Sequence, residues 1–212
     1  MSTWTSKARI AVALIPVLLS ACVAGDFGMV AGSGSRVAVS DGAVIIAGPP
    51  GYCIDPQATR TGEGNAFVLL GSCAVLGGGS APQSRAVLTA SVLAGAPTSQ
   101  PLVAAFPEMA AFFRSSAGRA ALSRSGQAGD VTVTQIETVK DVMVLRLSDT
   151  SVSGGAAVAP DYMRAVFSVR GRIVSLSVLG LKTQPLAVSG QRRILDNFVA
   201  RVQRENRVAS GT

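Results

Sequence analysis

A chain of 212 residues with 48% hydrophobic and 15% charged residues has the length and apolar content to pack one sizeable core, which excludes a disordered protein. The formal net charge is +7, but the basic residues are scattered and aromatics make up only 5%, so no nucleic-acid partner is expected. Histidine is absent, which removes Ser–His and Cys–His nucleophile pairs, the usual zinc sites and the commonest general base.

The chain opens on "MSTWTSKAR", with Lys7 and Arg9 and no acid, followed by an apolar run from Ile10 to Leu19 that Pro16 interrupts. A helix crossing roughly 30 Å of hydrocarbon needs about twenty apolar residues, so this run is too short to span and has the order of a signal peptide. At its end, Leu19-Ser20-Ala21-Cys22 resembles the lipobox of bacterial lipoproteins, in which a large apolar residue and two small ones precede a cysteine. The resemblance covers about the first two dozen residues. It implies removal of residues 1–21, a diacylglyceryl group on the Cys22 thiol, a further acyl chain on the new amino terminus, and a membrane partner reached through Cys22. The alternatives are an ordinary secretory signal cut after Ala21 and an uncleaved anchor. Val23 stands where an Asp resembles the signal for inner-membrane retention, which favours the periplasmic face of the outer membrane. Residues 22–36, rich in glycine, read as the lipidated cysteine and a flexible tether; residues 37–206 read as a single domain and residues 207–212 as a disordered tail.

With Cys22 assigned to lipid, Cys53 and Cys73 remain as a pair in an oxidising compartment, and a disulfide is expected between them. A redox-active or metal-binding pair is the alternative, but no C-x-x-C spacing accompanies it. No metal or cofactor is expected.

Asp41-Gly42 between two β-rich runs predicts a hairpin over Arg36 to Gly48. A long turn-rich loop, "PPGYCIDPQATRTGEGN", follows, then strands over Ala66–Cys73 and Arg85–Gly95. Pro107 and Glu108 suit a first helical turn, so a helix is predicted from about Pro107 to Ser115, with a second helical segment to Ser123 and a break at Gly118. Met109, Phe112 and Phe113 read as core. Strands on either side of Lys140-Asp141 predict a second hairpin, and a Gly/Ala-rich loop over Ser153 to Pro160 leads to a third. In that third hairpin Met163, Ala165, Phe167, Val169, Val174, Leu176 and Val178 form one buried face. The last element, about Pro185 to Asn206, places Ile194, Leu195, Phe198, Val199 and Val202 on one helical stripe. Arg193, Arg201 and Arg204 lie away from that stripe. They either dock anionic headgroups or present their charge to water, and the solvated face is the expectation.

These elements describe an α+β fold: a mostly antiparallel sheet built from hairpins, with a mid-chain helix and an amphipathic C-terminal helix packed on it. The order of hairpins and terminal helix is similar to the Mog1/PsbP-like fold, a group of small accessory and assembly proteins that includes bacterial lipoproteins. That resemblance carries no diagnostic motif and implies fold only.

No S-x-x-K, G-x-S-x-G, Walker A or dinucleotide motif occurs, so no catalytic residues are assigned. Asp149 and Asp161 read as the two ends of a surface loop and Asp55 as a turn former. The expected function is a non-enzymatic, lipid-anchored envelope module that binds an envelope protein or polymer, or assists an assembly. A histidine-free, carboxylate-based hydrolase of the envelope is the alternative and would bring two acids together in one cleft. A lipid or small-ligand carrier would require a large apolar cavity beneath the sheet.

Overall fold

The computed structural model describes residues 34–207, apart from 63, 97 and 154–156. The signal segment, Cys22, residues 23–33 of the expected tether and residues 208–212 lie outside the described residues.

The first hairpin pairs β1 (Arg36–Val39) with β2 (Val44–Ala47), so Arg36, expected in the tether, opens a strand. Its turn is longer than the two residues that Asp41-Gly42 implies. Val39 and Val44 are the last partners, and Ser40 and Asp41 both take positive φ, at 53° and 57°. This two-stranded ribbon stands apart from a seven-stranded sheet built from β3 (Tyr52–Ile54), β4 (Ala66–Ser72), β5 (Ala86–Val92), β6 (Val131–Val139), β7 (Val142–Asp149), β8 (Val158–Val169) and β9 (Arg172–Leu181). Its strand order is β3-β4-β5-β9-β8-β7-β6, with every neighbour antiparallel.

Two strand assignments correct the sequence reading. The turn-rich loop contains β3, three buried residues between Gly51 and Asp55, too short to show any periodicity. The loop before the third hairpin ends early, because β8 begins at Val158 and carries Pro160 into the sheet. The register shifts between Val158 and Tyr162. Such an irregularity is where a strand tolerates a residue with no N–H to donate.

Between β5 and β6 run α1 (Phe106–Arg114) and α2 (Ser116–Leu122), and the chain's last helix is α3 (Val188–Asn206). The break between α1 and α2 falls at Ser115, not at Gly118. Ser115 leaves the helical region, and its Oγ accepts the Gly118 N–H at 3.1 Å, capping α2. Gly118 has a different role. A Cβ there would lie 1.9 Å from the Phe112 carbonyl oxygen, so only glycine lets α2 fold back against the end of α1.

Alternation along the strands feeds two cores, one on each side of the sheet. On one side Met163, Ala165, Phe167 and Val169 of β8 join Val174, Leu176 and Val178 of β9 beneath α3, whose Leu195, Phe198 and Val202 are fully buried. The predicted face and the predicted stripe of α3 meet there, with β2 closing the layer. On the other side Phe106 and Leu122 pack with Met143, Leu145, Leu147, Tyr162 and Val166. Met109 and Phe113 pack at the edge of this second core, as expected. Phe112 does not: it is 46% exposed, because on a helix that covers one sheet face the residue beside a core position turns to solvent.

Candidate functional site

Beside α3 the segment from Pro49 to Gly51 forms a shelf between β2 and β3. Gly51 takes φ +83° and approaches Pro82 so closely that a Cβ would sit 2.6 Å from the Pro82 Cα. Its carbonyl accepts the Cys73 N–H at 2.9 Å. Cys53 of β3 is bonded to Cys73, just past β4, with a Cα–Cα distance of 4.7 Å. The expected disulfide therefore ties the shelf's strand to its neighbour. Tyr52, only 3% exposed, donates its hydroxyl to the Ser84 carbonyl at 2.5 Å, and burial pushes its phenol up to about 12. A backbone hydrogen bond, the disulfide, the Tyr52 hydroxyl and the close approach of Gly51 to Pro82 thus hold the shelf.

Two cavities open between this shelf and one flank of α3. The first, about 360 Å³, reaches Ser84, Arg193 and Asn197; the second, about 260 Å³, reaches Ser35, Cys73, Arg201 and Arg204. They share the wall from Pro49 to Tyr52. Arg193, Asn197, Arg201 and Arg204 fall within one arc of the helix at 100° per residue, which lines them up beside the buried stripe. Among the described residues no Asp or Glu lines either cavity. The nearest acid is Glu205, which pairs with Arg201 at 3.0 Å and with Arg36 at 3.8 Å. The Arg201 Nε is buried and finds no acceptor among the described residues.

The acids singled out in the sequence lie elsewhere and do not converge. Asp149 bounds its loop but is fully buried rather than at the surface. It follows Leu145 and Leu147 onto the second-core face, whereas Asp161 has the parity of Met163, belongs to the opposite face and is exposed. Burial would push the Asp149 carboxyl up. Hydrogen bonds from Ser151 Oγ, Arg124 N and Ser151 N, with the charge of Arg124, outweigh it and hold the group below the usual aspartate range. The Arg124 and Arg164 guanidinium groups each lie 5.5 Å from the Tyr162 ring centroid, closing a buried structural cluster. Asp55 accepts the Gln57 N–H at 2.9 Å, an Asx turn.

A third cavity, about 540 Å³, lies between the start of α3 and β6–β8, with Arg146, Glu137 and Arg192 in its lining. Two carboxylates meet there at one guanidinium. Asp196 accepts from Arg192 Nε at 2.9 and 3.1 Å, and Glu137 contacts Arg192 Nη1. Asp196 first, then Glu137, raise the Arg192 guanidinium further above its ordinary value. No cluster of three or more metal-ligating side chains exists among the described residues, and no described helix is long and apolar enough to cross a membrane.

No protein-family model, curated protein or solved structure gives a significant match to this chain.

The arginine flank was legible as spacing along α3. The shelf opposite it was not, since Gly51, Pro82 and Ser84 are distant in sequence and carry no motif.

Proposed function

We propose that the protein is a lipid-anchored module of the bacterial cell envelope that works by binding rather than by catalysis. The observation that carries this reading is Leu19-Ser20-Ala21-Cys22 at the end of a run too short to span a bilayer. Two acyl chains or more at Cys22 suffice for stable anchoring, at about 0.8 kcal/mol per buried CH₂. Val23 favours the periplasmic face of the outer membrane. The binding surface is the acid-free groove between α3 and the Pro49–Gly51 shelf, and its partner is an envelope component.

A carboxylate-based hydrolase draws on the meeting of Glu137 and Asp196 at Arg192. Glu137 lines the cavity of about 540 Å³ there, but Asp196 does not and both acids are engaged by one guanidinium, which weighs for binding.

The test is the intact mass of the native protein from the membrane fraction, before and after reduction, with Cys22→Ala alongside. The expected chain begins at Cys22, carries acyl mass that the variant lacks, and gains about two daltons on reduction as one disulfide opens. A chain beginning at Cys22 without acyl mass refutes the membrane-tethered reading.

A further inference from the structure

We propose that the smaller cavity beside α3, lined by Arg201 and Arg204, holds the phosphate of an anionic phospholipid headgroup in the bilayer to which Cys22 is anchored. The inference rests on the anchor reading and adds an orientation to it: the C-terminal end of α3 faces the membrane.

Four observations converge. The cavity's lining joins two arginines to backbone of the Pro49–Gly51 shelf with no described acid among them. Arg201 lines the cavity with its Nε buried and without an acceptor among the described residues, so its guanidinium is not fully paired by the protein itself. A guanidinium fork suits a phosphate's paired oxygens. Further positive charge gathers at the same end of the molecule. Arg36 shares Glu205 with Arg201, and Arg170 donates to the carbonyls of Asn206 and Ala43. Glu205 offsets one of these charges and Asp141, across a shallow cavity from Arg170, another, which leaves the end basic.

The fourth observation selects a bilayer over a soluble partner. Ser35 lines this same cavity, and the described chain begins one residue before it. Eleven residues lie between Cys22 and Gly34, and their twelve Cα steps span at most about 43 Å, so the chain lets this end of the domain meet the bilayer that holds Cys22. A lipid at Cys22 therefore presents the headgroup layer to this end at a high effective concentration that no freely diffusing anion matches.

The lipidated chain, purified from its membrane, is reconstituted into vesicles of phosphatidylcholine alone or with phosphatidylglycerol. Sedimentation with the vesicles reads the anchor. Modification by phenylglyoxal, followed residue by residue by mass spectrometry, reads the headgroup site. Arg201 and Arg204 are expected to react roughly thirty-fold more slowly in the anionic vesicles, the factor two arginines supply at such a surface, with the protection lost at high salt. Arg114, on α1 across the sheet, keeps one rate in both. Arg204→Gln, at an exposed position, is expected to weaken the protection of Arg201 while leaving the melting temperature unchanged. Equal reactivity of Arg201 in both vesicles overturns the headgroup site and leaves the anchor standing. Protection by inorganic phosphate or by an acidic peptide in the neutral vesicles, with none by phosphatidylglycerol, also overturns it. A chain that sediments with neither vesicle overturns the anchor, and the headgroup assignment with it.

Discussion

Replacing Asp149 by Asn keeps the side chain's shape and removes its charge, and the hydrogen bonds fix what that costs. Oδ1 accepts from Ser151 N at 3.0 Å and Ser151 Oγ at 2.5 Å, while Oδ2 accepts from Arg124 N at 3.1 Å. An amide has one oxygen. With it at the Oδ1 position, the NH₂ confronts the Arg124 N–H; flipped, it confronts the Ser151 donors. At least one donor is thus left facing another at a fully buried site, which costs about 1–3 kcal/mol. The Arg124 ion pair, at 3.8 Å with Arg124 37% exposed, adds at most about 1 kcal/mol. The expected loss of about 1–4 kcal/mol lowers the melting temperature by about 2–16 °C for a domain of this size. The pH dependence has a definite sign. Since the folded carboxyl titrates below its ordinary value, its contribution is complete above about pH 4 and is lost as the pH falls through the folded value. Thermal melts of wild type and Asp149→Asn should therefore diverge at neutral pH and approach one another in acid. Equal melting at neutral pH, or a gap that stays constant into acid, refutes the reasoning.

Replacing both Cys53 and Cys73 by Ala opens a loop of 20 residues and is expected to cost about 3 kcal/mol, read by urea unfolding; an unchanged midpoint would show that the bridge constrains nothing. Gly118→Ala drives a methyl into the Phe112 carbonyl and should cost at least the 1–3 kcal/mol typical of overpacking, since backbone cannot yield as a side chain does; an unaltered melting temperature contradicts the close approach. Tyr52→Phe strands the Ser84 carbonyl and should cost about 1 kcal/mol at neutral pH. Because the folded phenol is raised to about 12, its contribution holds below about pH 10 and is lost as the pH climbs through 12. The gap between Tyr52→Phe and wild type should therefore close in alkali, and a gap independent of pH would count against the burial of this hydroxyl.

Much of the fold was written in periodicity. β8 and β9 alternate so regularly that one face could be listed residue by residue, and all seven of its members enter the core beneath α3. α3 was legible for the same reason, since a 19-residue helix gives five turns over which a stripe repeats. The misses are elements with too few residues for a period to show. β3 has three, all buried, and its strand character comes from pairing with β4 rather than from composition. At the α1–α2 corner Gly118 is the residue that local pattern singles out as the break. The corner belongs to Ser115, whose hydroxyl caps the next helix, and the glycine is there for its missing Cβ.

The groove was half legible for a different reason. One of its walls, the arginine flank, lies on a single helix, so its spacing was visible before any tertiary contact was known. The other wall is made by Gly51 meeting Pro82 and by Tyr52 reaching Ser84, contacts over some thirty residues that no local pattern encodes. An arginine on an amphipathic helix is ordinarily solvated, and Arg193 and Arg204 taken alone fit that expectation, as both are exposed. Arg201 departs from it. One nitrogen is paired with Glu205 while Nε is buried without an acceptor among the described residues, and the side chain lines the cavity opposite the shelf. A solvated arginine leaves no donor unsatisfied, so this one atom sets Arg201 apart from the ordinary surface charges of α3.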